Sequence, residues 1–352
     1  MVSGIEINIF ILVFLGLAVG TVSGFIGVGG GFLMAPALII IGLPASFAVG
    51  TSLAWITGSA LMGTLRHRQL GNIDLRLGIY MIVGTMCGVE GGVRILNQVK
   101  EIGLADYAVL STSIAILLVI GTYTFREAHK RKAILDTMVR NGEKLPPAMR
   151  VLAVSQRLQR IRIPPIIHLT KSRLTISLWV ILCIGFITGL LAGFMGVGGG
   201  FIMVPSLVYL VGLPSFMAVG TDMFQVIFSA AFGCIRHTMS GNVIIFVAFI
   251  LAFSSCLGVQ FGVFITRFVR GVSMRYVLAV STLICVFGSI LKLLDIMLEL
   301  PGAWLRTGSI TVIFGGMGLV VAMIIGLFIM AIRYRSGKHI PIWAISLIQK
   351  NN

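Results

Sequence analysis

Charge is scarce in this chain. Of 352 residues, 11 are Asp or Glu and 27 are Lys or Arg, and charged residues total 11%. Soluble domains carry about 25%. Hydrophobic residues make up 57%, and mean hydropathy is +1.05. A soluble globular domain is thereby excluded. The net charge of +16 does not read as a nucleic-acid footprint, because no Lys or Arg precedes Arg66 and twelve of the 27 crowd between Arg126 and Arg173. Charge so placed lies beside a membrane, where the cytoplasmic side favours Lys and Arg. Cysteine is also sparse. Cys87, Cys183, Cys234, Cys256 and Cys285 lie in apolar runs without a CxxC pair. They read as buried small apolar side chains, not as a disulfide framework or metal site. No basic segment opens the chain, so no cleaved signal peptide is expected and Ile7–Val22 is expected to stay as a membrane helix. No His, Cys and carboxylate cluster at metal-ligand spacing and no nucleophile–base pairing stands out, which argues against an enzyme and against a cofactor. No nucleotide-binding fingerprint is present either, so a primary pump would need another subunit.

Glycine is abundant, and it is repeated. Gly24–Leu38 reads GFIGVGGGFLMAPAL and Gly193–Leu207 reads GFMGVGGGFIMVPSL, identical at eleven of fifteen positions with an offset of 169. After a one-residue slip the likeness continues. Gly42-Leu43-Pro44 answers Gly212-Leu213-Pro214, Gly50-Thr51 answers Gly220-Thr221, Arg66-His67 answers Arg236-His237, and Gly71-Asn72 answers Gly241-Asn242. Solenoid periods run roughly 20–50 residues. The longer spacing marks a duplicated half of a protein.

Eleven apolar segments are expected, at about 7–25, 32–43, 46–65, 77–95 and 105–124, then 174–194, 201–212, 215–235, 243–264 and 274–293, and an extra one near 309–332. Most approach the ~20 residues that cross hydrocarbon as a helix. Segments 32–43 and 201–212 are shorter, start at a glycine cluster and end at Gly-Leu-Pro. Short, Gly/Pro-interrupted segments at matching places in two halves point to a transporter's binding site. If each repeat crosses five times, the second is inverted. The basic stretches at 66–76, 125–173 and 265–275 and the C-terminal tail then share the cytoplasmic side, with the N-terminus outside. If the short segments did not cross, two of those basic stretches would fall outside. The expected fold is an all-α integral membrane protein with two inverted five-segment repeats, Gly-broken helices and one extra C-terminal helix. Its divisions are 1–124, a first transmembrane repeat; 125–173, a basic cytoplasmic loop; 174–293, a second repeat; and 294–352, the extra helix and tail. Within the loop, Val151–Ile163 reads as a short amphipathic helix on the membrane surface.

The clusters Gly27, Gly29, Gly30, Gly31 and Gly196, Gly198, Gly199, Gly200 leave main chain open to close approach. The short helices begin there with unsatisfied N–H groups, which attract anions. Under inverted symmetry the two helix starts converge near the midplane as an anion cradle; the alternative is tight helix packing. Thr51 and Thr221 follow, as hydroxyls completing the anion's hydrogen bonds or as helix caps. Asp222 is an acid in an apolar run, with Gln225 one turn on, and reads as a carrier of a coupling proton. Arg66, His67, Arg236 and His237 end equivalent helices, either as interfacial anchors or as cationic vestibules. Glu90 and Arg94 read as an i,i+4 pair or a proton relay.

The two glycine-rich stretches resemble the duplicated motif of the sulfite exporter TauE/SafE family of membrane transporters, over roughly residues 10–124 and 178–293. The resemblance implies a secondary transporter that moves sulfite, an organosulfonate or a related sulfur or carboxylate anion across the bacterial inner membrane, as an exporter. The partners expected are that anion and membrane lipid, with no nucleic acid and with room for a homodimer. An anion channel or membrane receptor on the same duplicated pore is the alternative function.

Overall fold

The computed structural model describes residues 8–27, 29–141, 164–169, 174–298, 304–336, 341–345 and 347–348. The expected surface helix at Val151–Ile163 lies outside them. The first repeat holds α1 (Ile9–Ile26), α2 (Gly31–Ile41), α3 (Ala45–Gln69), α4 (Leu75–Glu101) and α5 (Ala105–Arg140). A short antiparallel hairpin, β1 (Ile166–Leu169) and β2 (Leu174–Ser177), leads into the second repeat. That repeat holds α6 (Leu178–Met195), α7 (Gly200–Ser206) with a π-helical turn at Leu207–Val211, α8 (Ser215–Met239), α9 (Ile245–Thr266) and α10 (Gly271–Leu298). Then come α11 (Trp304–Arg335) and α12 (Ile342–Ile345). Among the described residues, nine helices are long and apolar enough to cross a membrane, and Gly31–Ile41 and Gly200–Val211 are the shorter apolar ones. The chain is an all-α integral membrane protein.

Local signals set the helix ends. The Asn8 side chain accepts from the Phe10 N–H and starts α1, and Asp74 accepts from the Leu77 N–H and starts α4. Pro44 and Pro214 stand at the starts of α3 and α8. The one-residue slip between the repeats has a structural counterpart. Four residues separate Leu207 from Gly212 where three separate Leu38 from Gly42. A π turn takes up one extra residue without breaking the helix, and one occupies Leu207–Val211.

Two expectations need correction. The region from 125 on does not begin as a loop: α5 runs unbroken to Arg140, with Ala128 and Leu135 buried and Glu127 paired to Arg131 one turn on. The cysteines are not uniformly buried either. Cys285 is, whereas Cys87 and Cys183 are exposed on the helix surface. In lipid a small apolar side chain costs nothing on the outside of the bundle.

The repeats interlock. α1 lies along α9, and their levels rise together: Gly16 faces Leu251, Gly20 faces Ser255 and Gly24 faces Val259. α4 lies along α6 in the same way, with Gly84 on Leu182, Gly88 on Phe186 and Gly92 on Leu190. In both pairs the first helix of one repeat packs beside the fourth of the other. A Cβ at these glycines would enter the partner's main chain, so a glycine every fourth residue is what permits the approach. The equivalent helices α3 and α8 run antiparallel instead. Gly50 near the start of α3 abuts Asn242 just past the end of α8, and Gly220 near the start of α8 abuts Asn72 just past the end of α3. α5 and α10 are antiparallel too, with Tyr107 bonded to the Ile296 carbonyl and Arg275 bonded to Glu127.

These contacts define two ends. One holds the α3–α4 turn, the starts of α8 and α10, and the C-terminal segment, whose Leu347 carbonyl accepts from the Arg270 N–H and the Ser273 hydroxyl. Arg335 lies over Phe268 at this end. The other end holds the α4–α5 and α8–α9 turns, where Asn97 donates to Ser240 and Lys100 to Asn242.

The packing predicts a sharp contrast between glycines. Gly88→Ala should destabilise by about 1–3 kcal/mol through overpacking against Phe186 and Leu190. Gly326→Ala, which meets nothing within 4 Å, should stay within about 0.5 kcal/mol of the parent. Thermal unfolding of both variants in detergent measures the difference.

Candidate functional site

The two glycine clusters meet at the centre of the bundle. After α1 the chain turns at Gly27 and doubles back, so that Gly30 lies beside Ser23, one turn before the end of α1. A Cβ on Gly31 would stand 2.6 Å from the Val197 carbonyl of the other cluster. Gly29 and Gly198 both rest on Ile56 of α3 and Val226 of α8, and the Phe32 and Phe201 rings lie 6.4 Å apart. The convergence expected of the clusters is thus a contact between them. Gly30 and Gly199, at φ 70° and 78°, are the residues before α2 and α7, and neither helix start receives a side-chain cap. A side chain at either position would be strained by its backbone angle, and at Gly30 it would also strike Trp55 and Ser23.

Polar groups around this junction differ between the halves. In the first repeat the Ser23 hydroxyl and the Trp55 indole N–H are fully buried and have no partner among the described residues. Both can donate to an anion. In the second repeat the position equivalent to Trp55 is Gln225, whose amide donates to Asp222 Oδ1 at 3.0 Å. Among the described residues, Asp222 Oδ2 and Gln225 Oε1 have no hydrogen-bond partner, and both residues are buried. Both sides of the junction therefore offer an uncapped helix start, to which one side adds two neutral donors and the other a carboxyl group.

The threonines serve the repeat interface. Thr221 Oγ1 accepts from the Asp74 N–H and Thr51 Oγ1 from the Ile244 N–H, each at 3.0 Å. Each hydroxyl thus caps the fourth helix of the opposite repeat. Ser52, beside Thr51, donates to the Gly196 carbonyl at 2.6 Å and ties α3 to the second glycine cluster.

His67 and His237 are fully buried. His237 contacts the Gly193 carbonyl through Nε2 at 3.0 Å, and His67 meets Asn72. The more accessible member of each Arg-His pair is thus the arginine, which is half-buried. Arg66 bonds to Gln69, and Arg236 grips Glu90 through Nε at 2.6 Å and Nη2 at 2.9 Å. Glu90 also holds Arg94, so the expected i,i+4 pair exists within a triad that crosses the repeats.

Sequence reasoning missed three features. Ser23 and Trp55 stand one turn before and one turn after motif residues, which was the available signal. The third is a cluster beneath the π turn. Arg275 bonds both Glu127 oxygens at 3.0 and 3.1 Å and the Ser215 hydroxyl at 2.9 Å, the Tyr209 hydroxyl donates to Glu127, and Arg131 pairs with the same carboxylate. A narrow cleft of about 20 Å³ lies beside it, lined by Thr124, Tyr209, Ser215 and Arg275, and by Ile26 and Val219 next to Gly27.

Comparison with known proteins places this geometry. The family described as Sulfite exporter TauE/SafE matches residues 12–289. The chain is 26% identical to the probable membrane transporter protein YunE of Bacillus subtilis, over 73% of this chain and 88% of that protein. It is 25% identical to the probable membrane transporter protein YjnA of the same organism, over 66% and 84%. A probable membrane transporter of Methanocaldococcus jannaschii is 28% identical over 56% and 60%. No solved structure matches the chain significantly.

The threonine contacts give a symmetric expectation. Thr51→Val and Thr221→Val should each lose about 1 kcal/mol, the usual worth of a helix cap, with similar shifts in detergent melting temperature for the two variants.

Proposed function

The chain belongs to the sulfite exporter TauE/SafE family, and from that premise we propose that it is a secondary transporter of a small anion — sulfite, an organosulfonate or a related sulfur or carboxylate anion. The observation that carries this reading is the central junction, where two uncapped helix starts meet beside the unpartnered Ser23 hydroxyl and Trp55 N–H. Main-chain N–H groups at a helix start, with two buried neutral donors, suit a compact oxyanion. No positive side chain is needed at the junction, so the anion is held without being trapped.

Transport is across the bacterial inner membrane, with the repeats inverted. The antiparallel pairing of α3 with α8 and of α5 with α10 supports inversion, because equivalent helices in parallel repeats would run the same way. The end that gathers Arg267, Arg270, Arg275, Arg333 and Arg335 faces the cytoplasm, and the N-terminus faces outward. The cleft beside Arg275 opens at this basic end, so the anion loads from the cytoplasm and leaves outward. Arg66 and Arg236 stand at opposite faces, where their charge draws anions toward each mouth.

Radiolabelled sulfite and sulfoacetate flux in proteoliposomes tests the reading. Saturable flux of one of them is expected, with counter-exchange that a channel would not show. Gly30→Leu and Gly199→Leu should abolish it. Trp55→Phe and Ser23→Ala remove one donor each with little change of shape. Each should weaken apparent affinity about tenfold, the effect of one lost hydrogen bond to a charged group. Unchanged kinetics in both of these variants would remove the junction as the anion site.

A further inference from the structure

Two positions that the duplication makes equivalent carry different chemistry. The Ser52 hydroxyl, with one hydrogen to give, stands 2.6 Å from the Gly196 carbonyl at the bend between α6 and α7 and 2.8 Å from the Val49 carbonyl of its own helix. The equivalent of Ser52 is Asp222, and the equivalent of Gly196 is Gly27, at the bend between α1 and α2. The two bends rest on matching residues: Gly196 lies against the Val49 main chain and the Ser52 hydroxyl, and Gly27 lies against the side chain of Val219, the residue that answers Val49, one turn before Asp222. A serine hydroxyl always has a hydrogen to give to a carbonyl. A carboxyl group has one only when protonated; ionised, it faces the carbonyl with acceptor atoms alone. Asp222 is fully buried, Gln225 occupies Oδ1, and Oδ2 has no partner.

We infer that Asp222 is a proton-operated latch on the first glycine bend. In its protonated form the carboxyl O–H donates to the Gly27 carbonyl and pins the bend, as the Ser52 hydroxyl, which never loses its hydrogen to a change of pH, does at Gly196. Loss of the proton removes the donor, sets two acceptors face to face and frees the bend at Gly27. One bend is thus fixed and the other is switchable. The inference rests on the transporter reading for its purpose: the switchable bend carries Gly30 and the start of α2, the anion side of the junction, so proton binding at Asp222 and anion binding at α2 act on one element.

The surroundings leave the carboxyl group to this task. On the elements packed around its turn, His67 of α3 meets Asn72, Asp74 at the start of α4 gives its main-chain N–H to Thr221, and Arg275 of α10 is held by Glu127 and Ser215. Tyr209 of the π turn donates to the same Glu127, and Glu90 of α4 is held by Arg94 and Arg236 far along α8. Helices α1 and α7 contribute no titratable side chain. Among the described residues, the side chain hydrogen-bonded to Asp222 is that of Gln225. The cleft beside Arg275 is lined on its inner side by Ile26 and Val219, the neighbours of Gly27.

Hydrogen exchange of the full chain in detergent tests the latch without any substrate. After correction for the intrinsic pH dependence of exchange, amides of 24–33 should exchange at least tenfold faster at pH 9 than at pH 5. Amides of 194–202, latched by Ser52, should show no such change. Asp222→Asn and Asp222→Ser, which keep a hydrogen to donate at every pH, should hold 24–33 protected throughout; Asp222→Ala should leave it open throughout. Wild-type protection that does not change with pH, or a wild-type response that persists in Asp222→Asn, would overturn the latch. Sulfite flux in proteoliposomes then reads the coupling. An imposed pH gradient should drive wild-type accumulation, and whatever flux Asp222→Asn retains should ignore the gradient. Accumulation in Asp222→Asn that follows the gradient would overturn the coupling role. If a sodium gradient drives wild-type flux in place of the pH gradient, proton coupling fails too. No sulfite flux in wild type, with the exchange pattern intact, would count against the anion assignment and leave the latch standing.

Discussion

A chain that breaks a helix inside hydrocarbon exposes N–H and C=O groups that lipid cannot satisfy. This protein has two such breaks, and each is covered by the other repeat. Gly31 is closed over by the Val197 carbonyl, Gly196 is bonded by Ser52, and Gly29 and Gly198 share Ile56 and Val226 as a common floor. The rest of the architecture serves this requirement. The breaks can reach each other only if α1 and α9, and α4 and α6, approach to main-chain contact. That approach is the role of the glycines at every fourth position along those helices.

The same covering explains where the polar chemistry sits. Thr51 and Thr221 each cap a helix of the opposite repeat, so neither half is complete alone. Glu90 with Arg236, and Glu127 with Arg275, tie the halves at opposite ends of the bundle. Between these ties lies a junction whose two sides have diverged. Duplication supplied two equivalent half-sites. Substitution made one a donor pocket, with Ser23 and Trp55, and the other an acid pocket, with Asp222 and Gln225.

Much of this was legible in the sequence, for identifiable reasons. The repeat, the membrane class and the meeting of the glycine clusters follow from identity between halves and from hydropathy, which need no knowledge of contacts. The π turn was legible as a one-residue slip, because a helix that gains a residue between fixed ends must bulge. The burial of His67 and His237 was not legible: beside an arginine at a helix end they look interfacial, and only the close α3–α8 crossing encloses them. Ser23 and Trp55 were missed because a serine or tryptophan in an apolar run usually finds a partner or packs, and lack of a partner shows only in three dimensions. The Glu127–Arg275 pair joins residues 148 apart, and no local pattern links them. The helical extension of α5 to Arg140 was hidden by its basic composition, which reads as loop until the pairing of Glu127 is known.

The central claim is that one repeat covers the other's break from the opposite side of the membrane. Arg68 and Thr238 are equivalent, exposed residues at the ends of α3 and α8. Arg68→Cys and Thr238→Cys, each in a chain with its five native cysteines replaced, can be probed with a membrane-impermeant thiol reagent in right-side-out and inside-out vesicles. Inversion predicts labelling of the cysteine at 238 from outside and of the cysteine at 68 from the cytoplasm. Labelling of both from the same side would contradict it, and with it the account of how the two glycine bends come to meet.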